Sequence, residues 1–261
     1  MHSPIRAPIP VDTLLLAYRS GIFPMADARE DHEVFWVEPR DRATIPLEGL
    51  RVSKSLRKVI RQDRYTVTLD RAFDRVIHAC AAPRPGHPES WISDRIVTSY
   101  IQLHRSGHAH SIECWEAGDG DREPTLVGGL YGVSFDQVFC GESMFSRADN
   151  ASKVALAWLV ALMREAGFKL LDCQFMTDHL ASMGAVEMPQ SDYLDLVNQA
   201  GGQTKLTLHE AFARFDAGQA SLSAGSSAAG SSASSSASSA SPSGSSASPG
   251  KRIVHSLTQT S

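Results

Sequence analysis

The sequence has few cysteines, no long apolar run and no surplus of positive charge, and each shortage excludes a class of protein. Its four cysteines, Cys80, Cys114, Cys140 and Cys173, lie far apart with no C-x-x-C pair. A disulfide or zinc framework is therefore not expected, and the thiols read as small buried residues of a reducing compartment. No stretch approaches the ~18 consecutive apolar residues of a membrane span. Nothing near Met1 joins a basic region to an apolar run and a small-residue cleavage site, so the expectation is a soluble, cytoplasmic chain with no membrane partner. A formal net charge of -4 argues against a protein coated in nucleic acid. Large apolar side chains are almost missing from residues 218–250, where Ser, Ala, Gly and Pro take over, and such a stretch cannot build a core.

What is present divides the chain. We expect a smaller N-terminal lobe at residues 1–82, a larger lobe at 83–216 joined through a turn at 83–88, a disordered Ser/Ala-rich linker at 217–250 and a C-terminal tail at 251–261. In the first lobe, periodicity predicts helices at 11–21, capped by Asp12, at 54–62, capped by Ser53, and at 73–80, with a strand at 65–69. Trp36 begins a stretch that reads as irregular and Pro-rich. In the second lobe we expect a helix at 94–105 and strands at 108–115, 125–135 and 138–143. A long helix at 151–166, capped by Asn150 and apolar on one face, follows, then a strand at 169–174 and short elements to residue 199. Gly128 and Gly129 interrupt their strand, which signals a bulge or the close approach of a ligand.

This order predicts an α+β fold with a splayed mixed sheet, similar to the N-acetyltransferase fold. Enzymes of that fold hold the coenzyme A pyrophosphate on a Gly-rich turn. Here the corresponding turn is Ser146-Arg147-Ala148-Asp149-Asn150, without glycine. A coenzyme A-dependent N-acyltransferase stays as the alternative reading, and a different acyl donor is favoured.

Although the chain is mildly acidic, residues 40–64 hold Arg40, Arg42, Arg51, Lys54, Arg57, Lys58, Arg61 and Arg64 against Asp41, Glu48 and Asp63. Lys54, Arg57, Lys58 and Arg61 recur at helical spacing and share a face suited to phosphates. His104, His108, His110, Glu113 and Cys114 are all of metal-ligating type, yet no closed set with the usual spacing appears, so no metal is expected. Ser143 and Ser146 lack a G-x-S-x-G elbow.

Seven motifs speak together: Gly21-Ile22-Phe23-Pro24, Trp91-Ile92, His108-Ala109-His110-Ser111-Ile112-Glu113, Val127-Gly128-Gly129-Leu130-Tyr131-Gly132, Gly141-Glu142-Ser143-Met144-Phe145-Ser146, Asn150-Ala151-Ser152-Lys153 and Leu171-Asp172-Cys173-Gln174. In order and spacing they closely resemble the leucyl/phenylalanyl-tRNA–protein transferases over residues 14–196. The resemblance implies an aminoacyltransferase that moves Leu or Phe, less often Met, from aminoacyl-tRNA to proteins beginning with Arg or Lys, marking them for N-degron degradation. It further implies a cytoplasmic monomer needing no cofactor. A mere adaptor for basic N-termini would leave the tRNA-type motifs without purpose.

By the same resemblance Asp172 and Gln174 serve the attacking amine, and their spacing of two on a strand puts both side chains on one face. Glu142 is implied to hold an ammonium group, of the donor aminoacyl moiety or of the acceptor. Leu130, Phe139, Met144 and Leu171 are expected to line the donor side-chain pocket, with Met144 the most adaptable. Some relatives carry tryptophan directly after G-I-F-P where this chain has Met25. Trp91 or Trp36 is expected to supply an aromatic surface for the terminal adenine. The four cations at 54–61 are expected to grip the tRNA acceptor stem.

Overall fold

The computed structural model describes residues 7–83, 90–120, 122–216 and 247–259. The chain opens with α1 (Val11–Arg19), a ribbon of β1 (Phe23–Met25) and β2 (Phe35–Val37), then β3 (Asp41–Ile45), α2 (Lys54–Arg61), β4 (Thr66–Leu69) and α3 (Phe73–Ala81). It continues through α4 (Asp94–Arg105), β5 (Ala109–Glu116), β6 (Thr125–Phe135), β7 (Val138–Ser146), α5 (Ala151–Ala166) and β8 (Leu170–Gln174). It closes with α6 (Asp178–Ser182), β9 (Val186–Pro189), α7 (Gln190–Gln199), α8 (Leu208–Asp216) and α9 (Pro249–Thr258). No helix among the described residues is long and apolar enough to cross a membrane.

Local chemistry starts most helices where the sequence places them. The Ser53 hydroxyl accepts from the Leu56 amide and caps α2, and Thr177 does the same for Leu180 at α6. Two caps differ. Pro10, not Asp12, precedes α1, and Asp12 lies in the first turn, where a carboxylate favours the helix dipole. Asn150 takes a left-handed φ of 64° and makes no side-chain cap, and the Ser146 hydroxyl instead accepts from the Ser152 amide at 3.2 Å.

Seven strands form one sheet in the order β4-β5-β6-β7-β8-β3-β9. Every neighbouring pair is antiparallel except β7 and β8, which run parallel. The fold is α+β with the expected mixed sheet. β4 forms one edge and β3 lies one strand in from the other, so two strands read in sequence as part of the N-terminal lobe belong to the large sheet, which crosses the expected 82/83 division. The stretch read as irregular after Trp36 contains β3. Its alternation is hidden because Arg42, Ala43, Thr44 and Ile45 are all buried, with protein on both faces.

Two apolar cores cover the two sides of the sheet. One gathers Leu56 and Ile60 of α2 with nearly the whole of α5, and the other gathers α1, α3, α4 and Tyr193 of α7. The outer side of α5 is covered too, by α8, which the sequence reading did not anticipate, and by α9, which docks the stretch read as a C-terminal tail. Trp158 meets Phe212 at 5.5 Å between ring centroids, and Ile253 and Val254 of α9 are buried in the same core. Hence α5 is apolar all round rather than on one face. Gly128 and Gly129 admit protein, not a ligand: a Cβ would lie 2.4 Å from that of Ala151 at one and 2.7 Å from the Ile112 carbonyl at the other. The predicted bulge is present beside them, with Val127 the extra residue between Gly128 and Leu126. Most of the expected turn at 83–88, and residues 217–246 of the Ser/Ala-rich linker, lie outside the described residues.

Candidate active site

β7 and β8 pair only from Val138↔Leu170 to Cys140↔Asp172. Past that point each strand carries one surplus residue. Between β6 and β7 the register steps from Tyr131↔Ser143 to Gly132↔Gly141, leaving Glu142 unopposed. Between β3 and β8 it steps from Ala43↔Gln174 to Thr44↔Asp172, leaving Cys173 unopposed. A bulge bends its strand and re-aims the side chains beside it. These two turn Glu142 and Gln174 toward each other across the gap, and the Gln174 amide donates to Glu142 Oε1 at 2.8 Å.

Gln174 sits at φ 63°, a left-handed backbone that costs a residue with a Cβ about 1 kcal/mol or more. Asp172 holds it there. Asp172 Oδ1 accepts from the Gln174 backbone amide at 2.8 Å and from Arg42 Nε at 2.9 Å, while Oδ2 accepts from Arg42 Nη2 at 2.7 Å and from the Tyr193 hydroxyl at 3.3 Å. Arg42 also donates to the Gly21 carbonyl at 2.9 Å, and its guanidinium lies between the rings of Phe23 and Tyr193, 5.0 and 4.3 Å from their centroids. Both charged side chains are 0% exposed. The same-face expectation for Asp172 and Gln174 thus gives way: the bulge and the turned backbone bring Gln174 to the cavity wall, while Asp172 faces Arg42 and bonds the Gln174 main chain.

Glu142 is buried beneath two phenols. Tyr18 donates to Oε1 at 2.7 Å, and the Tyr100 hydroxyl has two acceptors for its one proton, Oε2 at 3.3 Å and the Tyr18 oxygen. Burial pushes the carboxyl up to about 7, and the bonds from Tyr18 and Gln174 hold it from rising further. Burial also raises both phenols far above their ordinary value, so they stay neutral donors.

Beside this pair opens a cavity of ≈ 660 Å³. Met144, Leu156, Leu159, Leu171 and Leu180 give it an apolar wall, and Phe23, Met25, Trp91, Glu142 and Gln174 also border it. Of the residues singled out in sequence, Glu142, Gln174, Trp91, Leu130, Met144 and Leu171 meet there. Phe139 does not, being wholly buried in the core. Nor does Trp36, which is 42% exposed on β2 opposite Pro24. Arg42, counted in sequence among the basic residues of 40–64, is withdrawn from any surface by its ion pair. Sequence reasoning missed Tyr18, Tyr100 and Tyr193 as well, because partners 21 to 151 residues away leave no local signal. Lys54, Lys58 and Arg61 are exposed on α2 and Arg57 is half-buried. Among the described residues none of the four is in an ion pair.

The mixed sheet splays at its parallel junction and opens an apolar cavity onto a convergent amide and carboxylate. The family models of the leucyl/phenylalanyl-tRNA protein transferase and of its N-terminal domain match residues 44–198 and 8–40, and the chain belongs to that family of aminoacyltransferases. It is similar to the leucyl/phenylalanyl-tRNA–protein transferase of Novosphingobium aromaticivorans, 65% identical over 74% of this chain and 71% of that one. The enzyme of the same name from Rhizorhabdus wittichii is 56% identical over 73% of this chain and 75% of that one. Among solved structures, L-PGS from Bacillus licheniformis is similar at 12% identity with a TM-score of 0.35, covering 66% of this chain and 55% of that one.

Proposed function

We propose that this chain transfers leucine or phenylalanine, less often methionine, from aminoacyl-tRNA to the α-amino group of proteins beginning with Arg or Lys. It does so in the cytoplasm, as a monomer, and marks those proteins for N-degron degradation. The amine nitrogen attacks the ester carbonyl carbon, a tetrahedral oxyanion forms, and the 3′ oxygen of the terminal adenosine leaves with a proton while the nitrogen loses one. Ester to amide is downhill, so ATP is not needed, and the protein's task is alignment and charge stabilisation. An α-amino group titrates at about 7.7–8.0, so a useful fraction is neutral near pH 7 without a strong base.

The observation that carries this reading is the orientation of Gln174. Its amide nitrogen donates to Glu142, which leaves the side-chain carbonyl of a residue that lines the cavity as an acceptor for the incoming N–H. Asp172 positions Gln174 through the backbone bond. Glu142, when ionised, holds an ammonium at the cavity wall. Leu or Phe fills the apolar wall, where Met144 adapts to either shape. Trp91 and Met25 border the cavity where the terminal adenine would rest, and Lys54, Arg57, Lys58 and Arg61 grip acceptor-stem phosphates without reading sequence.

The test uses purified full-length chain, labelled leucyl- or phenylalanyl-tRNA and peptides differing only in the first residue. Label should pass to Arg- and Lys-starting peptides and not to an acetylated one, and acetyl coenzyme A should not serve as donor. Transfer from the coenzyme, or none from charged tRNA, would overturn the reading.

A further inference from the structure

Away from the active site, the fold brings together three metal-ligating side chains that no sequence spacing connects. Asp70 follows β4 in a left-handed turn of φ 57°. Its Oδ1 accepts from the Ser111 amide at 2.7 Å, which fixes the carboxylate and aims Oδ2 at two imidazoles. His110 of β5 places Nδ1 2.7 Å from that oxygen, and His209 of α8 places Nε2 3.2 Å from it. One ligand atom from each of the three lies within 4.8 Å of the other two. A tetrahedral zinc ion, at about 2.0–2.2 Å from each ligand, keeps its ligand atoms roughly 3.4 Å apart. The trio is therefore close to ligating geometry as it stands.

We propose that Asp70, His110 and His209 bind one divalent zinc ion, with solvent in the fourth position, and that the ion clips α8 to the end of β4 and to β5. Two imidazoles and one carboxylate are the donor set of a three-ligand zinc site. The outer contacts are built as well. Asp70 is oriented by the Ser111 amide, and His209 is placed by a capping box in which Thr207 and Glu210 exchange bonds at 2.8 and 3.1 Å. His104 is not a ligand through Nδ1, because that atom is bonded to the Ala109 carbonyl at 2.8 Å. Entry is open: His209 is 60% exposed, and Asp70 borders a cavity of ≈ 630 Å³. None of the three lines the catalytic cavity. The ion is a fastener of α8, which lies past the residues the family model matches.

The experiment takes untagged full-length chain, strips it with a chelator and titrates it with Zn²⁺ by calorimetry. One ion should bind per chain and raise the unfolding midpoint by about 3 °C or more. His209→Gln, at an exposed position, should fold like the parent in chelator, weaken zinc at least roughly 10-fold and lose the midpoint shift. His110→Gln should do the same. Transfer activity of H209Q should be unchanged. Failure of the parent to bind zinc stoichiometrically, or equal affinity in both variants, would overturn the site and leave Asp70 as an acceptor hydrogen-bonded to two histidines.

Discussion

Arg42 and Asp172, 130 residues apart in sequence, form a bidentate ion pair from which water is wholly excluded. Removing one partner strands the other charge in the core, which costs about 3–5 kcal/mol. Arg42→Met should lose that much stability in urea unfolding. The double variant Arg42→Met with Asp172→Leu should lose less than the sum of the two single changes, because no charge is left unpaired.

Gln174 gives a test that separates strain from chemistry. Gln174→Gly should be about 1 kcal/mol more stable than Gln174→Ala, since only glycine accepts the left-handed backbone without cost. Both should retain charged-tRNA binding and lose most single-turnover transfer. Near-normal transfer by either would remove Gln174 from the reaction.

Glu142 predicts a pH signature. Its carboxyl binds a proton more tightly when folded, about 7 against an ordinary 4.5. Its contribution to stability is therefore fully present below about pH 4.5 and is lost as pH rises through about 7. Glu142→Gln carries no such loss, so its melting temperature should climb relative to the parent between these values and stay higher above them. The same variant should transfer poorly at every pH, because an ammonium then has no carboxylate to meet. Melting curves of the two proteins that run parallel across the range would contradict the buried carboxylate.

The cations of α2 call for a comparison of two donors. Neutral replacement of Lys54, Arg57, Lys58 and Arg61 should weaken charged tRNA and flatten the salt dependence of its binding. A minimal aminoacyl-adenosine donor, lacking the stem, should be used as well as before. Equal losses with both donors would place the tRNA surface elsewhere.

Glu142 and Gln174 could be named from their motifs, and β5, β6 and α4 from their periodicity. Arg42 could not. In sequence it is one cation in a basic run, and only β3 insertion between β8 and β9 makes it a core residue. The direction of Asp172 was misread for a related reason, since a strand template assumes strict alternation and β8 departs from it at Cys173. α8 went unseen although Thr207-Leu208-His209-Glu210 carries a capping box. The stretch of only nine residues before the Ser/Ala-rich run offered too short a period to read. Phe139 and Trp36 were placed by proximity to motifs, which reports neighbourhood along the chain and not depth or direction.

The paired bulges of β7 and β8 each take up one residue without disturbing the pairing on either side. Ser143 stays opposite Tyr131 while Gly141 stays opposite Gly132, and Gln174 stays opposite Ala43 while Asp172 stays opposite Thr44. Deleting Glu142 would therefore close its bulge and leave Ser143, Met144, Phe145 and Ser146 on the faces they now occupy, so the loss falls on the carboxylate and on the bend it makes. Deleting Cys173 would likewise leave Gln174 opposite Ala43. A residue removed where the pairing is regular would instead turn the side chains beyond it to the other face, so the two strands tolerate a change of length at the site and nowhere beside it.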